Sequence, residues 1–561
     1  MAIEAAGRLG DDALRSSELN RAIELVRGET SAHLLLQLGD HLLRAERFKE
    51  AAHFYTRAIG RIDCDTPYAR RLIQARYQAG LFESALEACS QLREVDSSKY
   101  VTEMESVIYE GLGNLEKAKA VCEAYIANSP ADISVRLRLA LICYRLGDTA
   151  SVQRVLTTVD SAAVVKNIEH TAVYSQLLAE IGREHAALDA LFHCRRLHPN
   201  DATAHLQYVT RYTTLARSEE TVPDKVSADV AVELSGTGAP PCILITTAPN
   251  PDRRDDEYGL NDPVAKAILG KVVGDAVGFP GKPGTRWTIT RLLSKYAFAF
   301  RQGLNALTSR FAAEPGLESY AVPDGPGEFA AQVRDRLMAD APFQEAALRE
   351  YASGRLTVGA LGRVLRRSTI EAVGAAASSA GGLAACTNSL PERDAVFRLL
   401  GDGRVLVLES TACTILDELG LLDDTALSEH RFGVTQSTID EFRVAEAEWN
   451  RRDTEGFMSL ALEGGNVVRI DVPAEAVATM RARYARILRW LMTRAEPIPV
   501  PASLSEKHAD YPMGALIGQA SWDSVLVASE AGRALLSDDL RGCASSLRDS
   551  FASRVRVPPF C

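Results

Sequence analysis

A small residue returns at one place in the first third of the chain. With Ala51, Ala85, Ala118, Val152 and Ala187 as anchors, the steps are 34, 33, 34 and 35 residues. Five positions before each anchor stand Glu46, Gly80, Gly113, Gly147 and Gly182; thirteen before stand Leu38, Leu72, Glu105, Leu139 and Tyr174. Pro130 and Pro199 follow the third and fifth anchors at equal distance. A period of this length decides the architecture, because one short helix pair cannot bury its apolar face alone and must stack on a copy. Glycine suits the turn between the helices because it tolerates positive φ. The anchor is small where the two helices cross closely, and proline closes a unit because it cannot continue a helix.

This spacing resembles the tetratricopeptide repeat (TPR) family, with about five repeats and a capping helix near Asp201–Thr213. The resemblance implies an all-α TPR solenoid over residues 1–217 that binds a protein partner and has no chemistry of its own. Glu105 and Val152 depart from the usual pattern.

A chain of 561 residues exceeds one core, so further domains are expected. The net charge of −11 argues against wholesale wrapping of nucleic acid or an anionic membrane, while leaving local basic patches open. Ten scattered cysteines without a C-x-x-C pair read as buried thiols in a reducing compartment. The N-terminal sequence does not read as a signal peptide, and no apolar run approaches the ~20 residues of a membrane span. A soluble, cytoplasmic protein without a membrane partner is expected.

Beyond Arg217 the pattern changes. VAVEL and CILITT read as strands, followed by NDPVAKAILGKVVGD. Asp262 suits the cap of a short helix, Pro263 its first turn and Gly270 its exit. The segment resembles the signature of the C-terminal domain of the Gre transcription factors, covering residues 222–296 as a small α+β domain. That resemblance implies docking on bacterial RNA polymerase, with Asp262, Pro263, Gly270, Lys271, Gly274 and Asp275 as the docking candidates. The coiled-coil half of those factors has no counterpart here, so cleavage by their mechanism is not expected. Residues 297–403 read as a helical connector, with a basic run at Arg355, Arg363, Arg366 and Arg367.

From Arg404 the pattern becomes α/β. VLVL (405–408) is an apolar run fit for a strand buried on both faces, and it ends at Glu409. A helix is expected over Thr411–Leu421, and a strand at 432–435. Ser437 or Thr438 would then cap a helix carrying Asp440 and Glu441. Trp522–Arg533 reads as a helix opened by Ser521 and Asp523, and Ala534–Ser537 as a strand ending at Asp538 and Asp539. Open parallel sheets bind ligands at the carboxyl ends of their strands, so these acids would meet on one rim. Clustered carboxylates repel one another unless a divalent cation neutralises them, and all-oxygen ligation suits Mg²⁺ or Mn²⁺.

The order of these acids resembles the PIN-domain nucleases over about residues 404–545, which implies an α/β domain with a parallel sheet for residues 404–561. It implies metal-assisted hydrolysis of RNA, with Glu409, Glu441, Asp523 and Asp539 catalytic and Asp538 assisting as a metal ligand. The first acid of that family is usually aspartate, and Glu409 is one methylene longer. Arg481, Arg483, Arg486 and Arg489, beside Tyr484 and Trp490, are candidates for holding RNA phosphates; an amphipathic helix with its aromatics in the core explains them equally. The whole string is similar to bacterial conflict-system proteins of TPR, Gre C-terminal and PIN architecture. It implies an RNA-cleaving defence effector or, alternatively, a polymerase-associated adaptor with a degenerate PIN fold.

Overall fold

The computed structural model describes residues 12–537 apart from 97, 216–222, 237–241, 248–250, 252–255, 279–285, 312–325, parts of 380–402, 464–465 and 503–512. Residues 1–130 and 325–561 make one compact unit and residues 131–324 another.

In the first unit, α1 (Asp12–Val26) precedes three helix pairs. They are α2 (Ala32–Arg44) with α3 (Phe48–Ile59), α4 (Pro67–Gln78) with α5 (Phe82–Val95), and α6 (Lys99–Gly111) with α7 (Leu115–Asn128). The second unit opens with two more: α8 (Ile133–Arg145) with α9 (Thr149–Thr157), then, past the short α10 (Ser161–Val164), α11 (Ile168–Glu180) with α12 (Glu184–Leu197). All five anchors are 0% exposed. Every turn residue has positive φ, from 60° at Glu46 to 79° at Gly147. The residue after each turn residue donates back into the preceding helix: Arg47 to Leu42, Leu81 to Arg76, Asn114 to Tyr109, Asp148 to Cys143 and Arg183 to Leu178, at 2.8–2.9 Å. This is one helix-ending bond used five times. Leu38, Leu72, Leu139 and Tyr174 are buried, and so is Glu105, which pairs with Arg93 of α5. The helices ahead of Pro130 and Pro199 end at Asn128 and Leu197. The capping helix is α13 (Ala202–Leu215).

The rest of the second unit, among the described residues, is a five-stranded sheet and two helices. The strands β1 (Val230–Ser235), β2 (Cys242–Thr246), β3 (Glu257–Gly259), β4 (Ala276–Val277) and β5 (Trp287–Ser294) lie in the order β3-β2-β1-β5-β4. β1 runs antiparallel to both β2 and β5. The short α14 (Pro263–Ile268) is capped by Asp262, whose carboxylate accepts from Val264 N at 2.8 Å. α15 (Lys295–Ser309) packs on α13, where Tyr208 donates to Tyr296 O at 2.9 Å. Arg196 of α12 forms a bidentate pair with Glu257, which is 0% exposed, tying the last repeat to β3.

The C-terminal part of the first unit starts with α16 (Pro326–Ala352), α17 (Val358–Leu365) and α18 (Thr369–Ala377). A parallel sheet follows, from β6 (Val405–Leu408), β7 (Arg431–Thr435), β10 (Ala495–Ile498) and β11 (Arg533–Leu536), in the order β10-β7-β6-β11. Val407, Leu408 and Val434 are fully buried, as the unbroken apolar run requires. Around the sheet lie α19 (Ser410–Glu418), α20 (Gln436–Asn450), α21 (Ala474–Arg494), α22 (Met513–Ile517) and α23 (Gln519–Ala528). Between α20 and α21 runs an unforeseen antiparallel hairpin, β8 (Gly456–Glu463) with β9 (Asn466–Pro473).

Three local expectations are corrected. α20 is capped by Thr435, whose hydroxyl accepts from Thr438 N at 3.3 Å, and not by Ser437 or Thr438. α19 starts one residue early and is capped by Glu409 itself. α23 begins at Gln519, so Asp523 stands a full turn inside the helix instead of opening it. Glycine at 518 turns the chain into the helix ahead of Ser521.

Candidate active site

Glu409 follows β6 directly and is 2% exposed. One of its oxygens accepts from Thr411 N at 2.8 Å, from the Thr411 hydroxyl and from Ser537 Oγ at 3.2 Å. The other accepts from Ser521 Oγ at 2.7 Å. A strand's carboxyl end, a helix N-terminus and the exit of β11 therefore meet on one carboxylate.

Glu441 projects from α20 beside it. Ser410 Oγ donates to one oxygen at 2.5 Å, and the backbone N–H of Thr369, at the start of α18, donates to the other at 3.0 Å. Burial pushes this carboxyl above its ordinary value. The charge of Glu409 adds to that, and the bonds from Ser410 and Thr369 oppose it. Burial, with Glu409 and Glu441 nearby, likewise pushes the Cys413 thiol up.

Asp523, 6% exposed, accepts from Ser437 Oγ at 2.6 Å and from Gln519 Nε2 at 2.7 Å. Ser437 in turn lies 3.0 Å from Thr435 Oγ1, and Ser524 reaches Leu408 O at 3.3 Å. Three carboxylates predicted from the sequence thus sit at the carboxyl edge of one sheet, each clothed by hydroxyls. Asp538 and Asp539 lie outside the described residues. Asp440 points elsewhere, accepting from Gln436 at 3.0 Å.

Residues 407–545 match a family described as the PIN domain associated with the TPR-GreAB-C-PIN system. The chain joins a TPR array to a PIN domain. No curated protein matches it. Similar solved structures include a tetratricopeptide repeat protein of Parabacteroides merdae, 15% identical over 38% of this chain and 83% of its own, with a TM-score of 0.29. A thermophilic TPR protein of Thermus thermophilus is 20% identical over 33% of this chain and 100% of its own, at a TM-score of 0.26. YrrB, a TPR protein with an unusual peptide-binding site, is 13% identical over 33% of this chain and 95% of its own, at 0.25.

Among the described residues, no three His, Cys, Asp or Glu side chains of the PIN domain or elsewhere gather closely enough to hold a metal ion. In kind the donors fit a hard divalent cation: all are oxygens, and the Glu409 charge working against Glu441 is the repulsion a cation relieves.

Of the four arginines of α21 expected to hold phosphates, three bond within the protein. Arg481 donates to the carbonyls of Trp449, Asn450 and Arg452 at 2.5–3.1 Å, closing the end of α20. Arg483 and Arg486 hold the buried Asp417 at 3.1 and 2.7 Å. Arg489 is exposed, while Tyr484 and Trp490 are buried in the PIN core. In the middle sheet domain, Asp262 and Pro263 form the helix start. Gly270 and Gly274 occupy φ of 77° and 93°, and Asp275 accepts from Val272 N at 3.0 Å. Lys271 O accepts from Val226 N at 2.8 Å.

Sequence reasoning missed the hydroxyl set and Thr369. The hydroxyls were visible as serine and threonine beside each acid, in EST, QST and ASWDS. Thr369 precedes the sheet in the chain, and no spacing pointed to it.

Proposed function

We propose that the PIN domain is a metal-dependent endoribonuclease and that the chain is an effector of a bacterial conflict system, with the TPR array gripping a protein partner. The observation that carries this reading is that Glu409, Glu441 and Asp523 all stand at the carboxyl edge of the parallel sheet, each held by a hydroxyl donor of its own, with the Glu409 charge acting on Glu441. These three, with Asp538 and Asp539 beyond β11, are the residues that would hold Mg²⁺ or Mn²⁺. Such an ion, when bound, supplies an activated water and neutralises charge at the scissile phosphate. The chain's own part is positioning. Ser521 and Thr411 fix Glu409, Ser410 and the Thr369 N–H fix Glu441, and Ser437 and Gln519 fix Asp523.

Labelled RNA incubated with the full chain and Mg²⁺ or Mn²⁺, against an EDTA control, tests this. Glu441→Gln, Asp523→Asn and Asp539→Asn are each expected to lower cleavage ~100-fold or more while leaving the fold intact. Full cleavage by these variants, or cleavage that ignores EDTA, sinks the reading.

One observation favours the adaptor alternative: Glu409 already receives four protein donors. Glu409→Asp separates the two. A working ligand loses activity on shortening, whereas a degenerate replacement gains it. In either case the middle domain is proposed to dock on RNA polymerase through its exposed apolar turn, where Val272 and Val273 are 45% and 54% exposed. Recovery of polymerase by tagged chain should fail for the Val272→Asp, Val273→Asp variant; undiminished recovery removes this role.

A further inference from the structure

The PIN match begins at residue 407, yet the wall of the site is built partly by helices that precede it. Gly359 of α17 lies so tightly on α22 that a Cβ there would meet Ile517 O at 1.7 Å. α22 leads through Gly518 directly into α23 and Asp523. α17 then ends in a reversal. Arg366 adopts φ 56°, ψ 41°, and Arg367 N donates to Gly362 O at 2.7 Å. Ser368 immediately caps α18 in a reciprocal box with Glu371, and the next residue, Thr369, gives its N–H to Glu441. The turn is thus fixed to the site within two residues.

That turn gathers charge. Arg363, Arg366 and Arg367 are exposed, and their guanidinium groups make no ion pair or hydrogen bond among the described residues. Arg366 holds its left-handed conformation without being glycine or asparagine, at a cost of ~1 kcal/mol. Beside the turn runs an open groove of about 520 Å³ between α17 and α22, with Arg363 on its wall and Leu356, Met513 and Leu516 along it. A chain of net charge −11 with three acids at its site repels a polyanion. Local positive charge at the site's rim is what offsets that.

We propose that this arginine corner is the substrate platform. The backbone phosphates of a single-stranded polynucleotide lie across Arg363, Arg366 and Arg367, an unstacked base enters the apolar groove, and the strand leads on to the carboxylates. The direction of the strand rests on the ribonuclease reading, but binding does not.

The test is metal-free binding of a short labelled single-stranded RNA by the full chain in EDTA, followed by anisotropy across a salt series. In the combined variant Arg363→Gln, Arg366→Asn, Arg367→Gln, asparagine keeps the left-handed turn. Its Kd is expected to rise at least tenfold at about 0.1 M salt, and the salt slope to flatten by about 2, as loss of three phosphate contacts on a single strand requires. Arg363→Glu alone repeats the test without touching the turn. Single-stranded DNA of equal length should lose binding in parallel; DNA binding kept while RNA binding falls overturns phosphate recognition. Unchanged Kd and slope in both variants overturn the platform, as does loss that follows only from Arg489→Gln. Arginine-dependent binding by a wild-type chain that cleaves nothing would sink the ribonuclease reading and keep the platform.

Discussion

Glu105 occupies a position that is leucine in the first, second and fourth repeats and tyrosine in the fifth. It is buried against Arg93, yet burial outweighs the partner and pushes its carboxyl above the ordinary 4.5. The folded chain therefore binds this proton more tightly than the unfolded one. Stability from this position is fullest below the ordinary value and is lost as pH rises through the raised folded value. In Glu105→Gln that loss disappears. The variant's Tm minus that of wild type should climb by about 1–3 °C from pH ~4.5 upward and then level off. Melts across pH check it; a flat difference contradicts the cause assigned. The placement of Glu409, Glu441 and Asp523 was legible at this scale because each follows a strand or sits on a helix whose type the sequence shows. Their hydrogen-bond partners were not, since Ser521 and Ser537 reach Glu409 across more than a hundred residues.

Among elements, the repeats were the most legible, because the turn, the anchor and the helix-ending bond all act within one period. The hairpin β8–β9 carried an overlooked sign, the Gly464-Gly465 pair between two alternating runs. The role of α17 and α18 was hidden for a physical reason. The pattern of residues 297–403 shows only a helical connector, whereas the tight approach of Gly359 to Ile517 and the bond from Thr369 to Glu441 are long-range. Gly359→Ala tests how far the site depends on them. The added carbon meets backbone, which cannot swing aside, so α17 must shift. A loss of about 1–3 kcal/mol in thermal melts is expected, with cleavage falling alongside. Wild-type stability and activity would show the approach to be looser than the structure has it.

At the scale of the molecule, the turn of the third repeat stands against the PIN domain. A Cβ on Gly113 would lie 3.5 Å from Gln436 Cβ, and Gln436 opens the helix that carries Glu441. Gly182 has the same backbone, φ 73° against 74°, with nothing near. Gly113→Val and Gly182→Val should thus each cost about 1–2 kcal/mol of stability through backbone strain. Only the first should change the rate of RNA cleavage. Equal effects on rate would argue that the array and the PIN domain ignore each other.

The parallel sheet also sets a timetable for synthesis. β6 lies between β7 and β11, and β11 is residues 533–536. At ~5–20 residues per second, the ribosome needs roughly 6–26 s after Leu408 before the strand that flanks it exists. Helix pairs, whose contacts close within one period, need no such wait. A growing chain thus completes its helix pairs first and the rim of its parallel sheet last. For a protein proposed to destroy RNA, that order keeps an unfinished copy from turning on the message it is being read from.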